Sequence, residues 1–216
     1  MTNTSSADTR TIAIIGGGPA GLMAAEVLSA AGLAVDLYDA MPSVGRKFLL
    51  AGVGGMNITH SEAAAPFLSR YREASPWVGE WLAEFDADAL RSWIHGLGID
   101  TFVGTSGRVF PTNMKAAPLL RAWLKRLREQ GVRLHTRHRW LGWDDTGALR
   151  FKTPDGETRA TATATLLALG GGSWARLGSD GSWAPLLSAR GVNVRSLRPS
   201  NCGFICGWSP FLSERF

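Results

Sequence analysis

The run Gly16-Gly17-Gly18-Pro19-Ala20-Gly21 follows an apolar pentapeptide, Thr11 to Ile15, and opens a helix-forming stretch. This feature limits the fold more than any other in the chain. A short continuous apolar run reads as a parallel strand buried on both faces. Pro19 to Ala31 reads as a helix closed by Gly32, and Ala34 to Tyr38 as a second strand ending at Asp39. Together they form a βαβ unit from Thr11 to Asp39. Its glycine turn suits a pyrophosphate, because a bridging diphosphate needs backbone N–H groups and the positive end of a helix dipole. Gly16 makes the tight turn, Gly18 lets main chain approach the phosphate, and Gly21 lets helix and strand pack closely. Pro19 and Ala20 complete the turn. An acidic residue about 20 positions on should take the ribose hydroxyls, and Asp39 ends the second strand to do so. A carboxylate there disfavours a 2′-phosphate, and so NADP at this site.

A short-chain dehydrogenase needs a Tyr followed four residues later by Lys, but Tyr38 and Tyr71 are followed at that spacing by Pro42 and Ser75. That class is excluded. No His, Asp and Ser or Cys and His set stands out as catalytic, and His60 reads as structural. Cys202 and Cys206 match neither a disulfide framework nor a zinc-ligand set, so no metal is expected and a reducing cytoplasm fits best. The polar tail at residues 1–10 is expected to be disordered. The apolar run after it carries the glycines of the βαβ unit, so it reads as neither a signal peptide nor a membrane segment.

Beyond Asp39, the pattern predicts a long glycine-rich loop from Met41 to His60. A mostly helical stretch follows from Ser61 to His95, with Trp77, Trp81, Phe85, Trp93 and Ile94 as core candidates. Short strands are expected at Ile99 to Val103 and Arg108 to Phe110, then a helix from Lys115 to Gln130. A single strand from Val132 to Trp143 leads into a small antiparallel meander, with strands at Leu149 to Thr153 and Thr158 to Ala164. Leu166 to Leu169 reads as a further parallel strand ending in Gly170-Gly171-Gly172. The expected class is α/β, a Rossmann-like domain with a parallel sheet, a small antiparallel meander and a helical excursion.

The net charge of +5 invites a nucleic-acid reading. Much of the excess is local, however, and Arg121, Lys125 and Arg128 recur on the helix face away from Leu120, Trp123, Leu124 and Leu127. A solvated helix face is the preferred explanation.

Three later segments narrow the cofactor. Gly45-Arg46-Lys47-Phe48-Leu49-Leu50-Ala51-Gly52-Val53-Gly54-Gly55-Met56-Asn57-Ile58-Thr59-His60, Gly107-Arg108-Val109-Phe110-Pro111 and Ala168-Leu169-Gly170-Gly171-Gly172-Ser173 join the βαβ unit in an order that closely resembles the BaiN/RdsA family of NAD(P)/FAD-dependent oxidoreductases. The stretch Ser173 to Gly181 resembles one branch of it. The resemblance implies that Gly16, Gly18, Gly21, Asp39 and Ala40 hold the adenosine side of FAD. Arg46 and Lys47 would lie along the phosphates, a solvated pair being the alternative. Gly54, Gly55 and Asn57 would sit in a loop beside the isoalloxazine, Asn57 otherwise being a turn residue. Trp140 or Arg139 would meet adenine through the main chain, and Gly170 and Gly171 would close over the nucleotide.

Family members are far longer than 216 residues. The expectation is therefore an incomplete FAD-binding domain at 11–195 and the start of a truncated second domain at 196–216, with the C-terminal part of the family fold missing. Such a chain on its own would bind FAD weakly or not at all. The implied activity is FAD-dependent oxidation or reduction of a small organic substrate, with NAD(P)H as electron donor. A tRNA-modifying flavoprotein, suggested by Trp140 and Trp143 beside Arg139, and a non-catalytic nucleotide-binding fragment are the alternatives. Substrate, catalytic residues and oligomeric state are left unassigned.

Overall fold

A computed structural model describes residues 10–50, 54–199 and 206–215. Its centre is a four-stranded parallel sheet in the order β10-β1-β2-β6, built from β1 (Thr11–Ile15), β2 (Ala34–Tyr38), β6 (Arg133–His135) and β10 (Ala164–Leu167). The helix α1 (Pro19–Ala30) makes the crossover from β1 to β2, setting Ile12 beside Val35 and Ile14 beside Leu37. Alternation along these strands then sends side chains to two covered faces.

One face carries Ile14, Val35 and Leu37 against α1 and the helix α6 (Ala116–Glu129), which contribute Leu22, Ala25, Leu120, Trp123 and Leu127. The other carries Ala13, Ile15 and Tyr38 against a three-stranded antiparallel meander of β7 (Arg139–Trp143), β8 (Leu149–Thr153) and β9 (Gly156–Ala160). Tyr38 stacks on Phe151 of the meander at 4.3 Å between centroids. The result is a helix layer, a parallel sheet and an antiparallel sheet, in agreement with the Rossmann-like α/β expectation.

The excursion between β2 and β6 includes α2 (Arg46–Leu50), β3 (Thr59–His60), α3 (Ala64–Ser69), α4 (Ser75–Glu84), α5 (Ala87–His95), β4 (Thr101–Val103) and β5 (Arg108–Pro111). Its strands form a small sheet in the order β3-β5-β4. A buried carboxylate ties it to the main body. Glu26 of α1 accepts from Trp93 Nε1 at 3.0 Å, Trp123 Nε1 at 2.6 Å and Arg126 Nη1 at 2.8 Å, so α1, α5 and α6 meet on one side chain.

Several sequence expectations are corrected. Residues 132–143 are two strands in different sheets. The chain turns at Arg137, whose φ of 59° lies in the left-handed region, as it leaves the parallel sheet for the antiparallel layer. Period-2 alternation is the same in both halves and cannot reveal the change of partner. The supposed loop at 41–60 contains α2 and β3, both too short to create a period. The last meander strand ends at Ala160, and Ala164 already pairs with Ile12, so the parallel strand starts earlier than its apolar run. Trp93 and Ile94 pack as core, but Trp77 and Trp81 are 66% and 67% exposed and Phe85 is exposed too. Helical spacing puts Trp77 and Trp81 on one stripe without saying what that stripe faces. A short helix α7 (Ala184–Ser188) borders the meander, and α8 (Pro210–Arg215) lies near the end. The tail at 1–9 and Cys202 lie outside the described residues.

Across the β2–β6 pairing, Arg133 donates to both oxygens of Asp36 at 2.7 and 2.6 Å, and His135 Nε2 lies 2.7 Å from Oδ1. The Arg133 hydrogen bonds hold the Asp36 carboxyl below its ordinary range, against the opposing pull of burial, and His135 adds to the effect. A depressed folded-state pKa means that the folded chain binds fewer protons than the unfolded one. The stabilisation is therefore complete above the unfolded value of about 3.9 and disappears as pH falls through the lower folded value. Asp36→Asn is expected to lower the thermal midpoint at neutral pH and to flatten its decline below pH of about 4. Melts at a series of pH values check this, and parallel curves for the two proteins would contradict it.

Candidate functional site

The carboxyl ends of β1, β2 and β10 open into a cleft of about 510 Å³. Its floor is the glycine turn, where three glycines serve different needs. Gly16 has a φ of +112°, and a Cβ there would strike the Ala168 carbonyl on β10's exit. At Gly21 a Cβ would collide with the Gly16 carbonyl. Gly18, by contrast, has nothing within 4 Å of the place a Cβ would occupy. The first two are glycine for the sake of packing. Gly18 leaves bare main chain at the N-cap of α1, facing the cleft it helps to line. No side chain caps this helix and no acidic residue lies in its first turn, so its outward N–H groups and positive dipole end are left for an anion.

Asp39 stands beside the turn. Its Oδ2 accepts from Gly17 N–H and its Oδ1 from Met41 N–H, each at 2.7 Å. Burial pushes its pKa up, while these two N–H groups and the Arg46 charge pull the other way. Each oxygen keeps a further lone pair, so the fixed carboxylate can accept from a vicinal diol. Lys47 Nζ donates to Ser173 Oγ at 3.1 Å and Ser179 Oγ at 3.4 Å, and Ser179 Oγ donates to the Gly171 carbonyl at 3.0 Å. Arg139 pairs with Asp180 at 3.0 Å across the same cleft. Hydrogen bonds from Ser182 and Arg139 overcome the burial of Asp180 and hold its carboxyl low.

Among the described residues, the buried N–H groups of Arg46 (Nε), Trp140 (Nε1) and Trp183 (Nε1) have no acceptor, and these residues border the cleft. A buried unpaired donor costs about 1–3 kcal/mol. The bare Gly18 main chain at the helix N-terminus and the fixed Asp39 carboxylate suit a ligand that joins an anionic group to a hydroxyl-bearing one. That is the character of a dinucleotide.

Of the residues expected from sequence, Gly16, Gly18, Pro19, Ala20, Asp39, Ala40, Arg46, Lys47, Trp140 and Gly170 line the cleft. Gly21 lies beneath the turn as a packing residue, and Gly171 contributes through its carbonyl to Ser179. Gly54, Gly55 and Asn57 are not brought to the cleft wall. Gly55 packs on Met114 and Phe110, Asn57 is exposed, and Gly52 lies outside the described residues. Sequence reasoning missed Tyr38, His138, Trp183, Leu186 and Leu187. Nothing local marks these residues, because tertiary packing of the meander and α7 creates their role. Ser179 and Asp180 fall within a quoted motif, and their polar pairing could have been suspected from it.

Other candidates resolve as structure. His60 Nδ1 accepts from Glu62 N–H at 3.1 Å, so Nε2 carries the proton and donates to the Ser106 carbonyl at 3.0 Å. Arg121, Lys125 and Arg128 are exposed on α6, but Trp140 is only 7% exposed, in the core, and Arg190 stands over Trp143. Trp140 is therefore not part of a surface platform, and Trp143 is half-buried beneath Arg190. Among the described residues no cluster could hold a metal ion, and no helix is long and apolar enough to cross a membrane.

Residues 10–203 match the family described as HI0933-like protein Rossmann domain. Among solved structures, the chain is similar to 3-ketosteroid-Δ4-(5α)-dehydrogenase from Rhodococcus jostii RHA1, determined in complex with 4-androstene-3,17-dione. The TM-score is 0.53 at 15% identity, covering 89% of this chain and 56% of that one. It is also similar to the open conformation of a flavocytochrome c3 fumarate reductase, with a TM-score of 0.52 at 18% identity over 76% of this chain and 34% of the other. At such identities the likeness is one of fold. The chain spans roughly a third to a half of the length of these proteins.

Proposed function

Because the chain belongs to the HI0933-like protein Rossmann-domain family, we propose that its cleft holds FAD by the adenosine diphosphate half, within a flavin-dependent oxidoreductase of the BaiN/RdsA type. The observation that carries this reading is the bare main chain of Gly18 at an uncapped helix N-terminus beside a carboxylate fixed by two backbone N–H groups. The first element suits a diphosphate and the second a ribose diol. When bound, FAD supplies the hydride and electron chemistry. The chain's residues bind and orient it.

Gly18 and Ala20 present main chain to the diphosphate, and Asp39 accepts from the ribose. Arg46 and Lys47 neutralise the phosphate charge, Lys47 exchanging its serine partners for phosphate oxygens. In this reading residues 11–195 are the dinucleotide-binding domain and 196–216 begin a second one. The reacting substrate is a small organic molecule and NAD(P)H the electron donor, both engaged by the whole protein. The 4-androstene-3,17-dione bound to the ketosteroid dehydrogenase gives a first class of compound to assay.

Titration of the chain with FAD in a calorimeter tests the reading. Saturable 1:1 uptake, weak for this chain by itself and displaced by ADP, is expected. Absence of uptake by folded chain, or FAD that ADP does not displace, overturns it.

A further inference from the structure

Strand register places His60, Arg108, Phe102 and Phe110 on one face of the β3-β5-β4 sheet. His60 pairs with Arg108 and Phe102 with Phe110, and directly opposed residues share a face, as do residues two apart on one strand. The opposite face is committed to packing through Val109 and Pro111, both buried. The first face is open. Phe102 is 40% exposed, its ring centroid lies 5.8 Å from that of Phe110, and Arg108 is exposed beside them. Two glycines flank the Phe110 ring. A Cβ at Gly104 would stand 3.3 Å from its Cε2 and one at Gly55 would stand 3.6 Å from its Cε1, so neither position lays a side chain over the ring. Both ring nitrogens of His60 are engaged by main chain, and Glu62 is held by Arg70 at 2.6 and 2.7 Å. Among the described residues the Arg108 guanidinium has neither a hydrogen bond nor an ion pair.

We propose that this face is a binding shelf for a flat aromatic carboxylate. Phe102 and Phe110 offer tilted rings against which a planar ring packs offset or edge-on. The bare Gly55 and Gly104 let that ring lie close to main chain. The Arg108 fork takes the carboxylate through two parallel N–H···O bonds. An ammonium in the same place would face a like charge, which selects the acid over the amine. The assignment of this ligand as the reacting substrate rests on the oxidoreductase reading above. The beginning of α6 touches both places, since Leu120 packs at Gly45 in the cleft and Met114, just before the helix, packs at Gly55 on the shelf.

Titration of the isotope-labelled chain with 2-naphthoate, followed by nuclear magnetic resonance, tests the proposal. Saturable shifts are expected at the Gly55 and Gly104 amides and at Arg108 Nε. The same ring carrying a cation, 2-naphthylmethylammonium, is expected to bind at least about tenfold more weakly. Arg108→Gln is expected to weaken naphthoate about fivefold or more without weakening the amine, and Phe102→Ser to weaken naphthoate about threefold or more. Both positions are exposed, and thermal melts check that the fold is retained. Equal affinity for acid and amine, shifts confined to other surfaces, or an Arg108→Gln variant that binds naphthoate like the parent overturns the shelf, whatever FAD does. Naphthoate binding to a folded chain that takes up no FAD supports the shelf and overturns the reading of its ligand as a flavin substrate.

Discussion

Gly18→Ala is expected to weaken FAD binding about tenfold to a hundredfold and to leave the thermal midpoint of the free chain unchanged or slightly raised. The methyl group meets nothing within 4 Å in the protein, and the backbone at Gly18, with φ of −80°, is open to any residue. It projects where the diphosphate must approach main chain, and forcing one extra carbon into a close contact costs about 1–3 kcal/mol. Gly21→Ala supplies the contrast. Its methyl group would be driven into the Gly16 carbonyl, separating β1 from α1, so that variant loses stability before binding can be measured. Titration calorimetry with FAD, beside thermal melts of both variants, distinguishes the two roles. If Gly18→Ala binds FAD as the parent does, the diphosphate does not lie on this turn.

Glu26→Ala is expected to cost about 3 kcal/mol or more and to lower the thermal midpoint by about 10 °C. Glu26 accepts from two indoles and a guanidinium, and Arg126 also donates to the Gly96 carbonyl. Truncation leaves Trp93, Trp123 and Arg126 without their shared acceptor, and removing one partner of a buried charged network is far more damaging than replacing the whole. Glu26→Gln retains the shape, but its amide N–H₂ faces donors, so only part of the loss is recovered. A midpoint unchanged in Glu26→Ala would mean that packing alone joins the three helices.

How much was legible in the sequence depended on the range of the signal. The βαβ unit reads directly because its information is local: Gly16, Gly18, Gly21 and Asp39 lie within one strand–turn–helix–strand stretch of some 30 residues. Three of these line the cleft and Gly21 supports it from below. Glu26 was legible only as a helical residue, since its partners come from α5 and α6, at positions 67 to 100 residues away. Trp140 was read as a main-chain contact, while its side chain proves to be a buried donor in the cleft wall. Trp183 could not be seen at all, because a lone tryptophan before a five-residue helix carries no pattern. The Gly54, Gly55 and Asn57 loop lies apart from this cleft: a Cβ at Gly55 would meet Met114 and Phe110, while Gly54 has open space around it and Asn57 is exposed.

The order of the central sheet also bears on how the chain reaches its native state. β2 pairs with β6, and the Arg133 to Asp36 link spans 97 positions, while β1 waits for β10 with Ile12 beside Ala164. Both neighbours of the βαβ unit are thus supplied by distant sequence. Loop closure must precede the reward of pairing, and parallel strands so far apart make for slow folding with high contact order. During synthesis the glycine turn emerges first, yet Ala168, whose carbonyl packs against Gly16 at the end of β10, emerges some 150 residues later. The cradle is therefore encoded at the start of the chain but completed only by its later part, so under the proposed function nucleotide capture is a late event in folding.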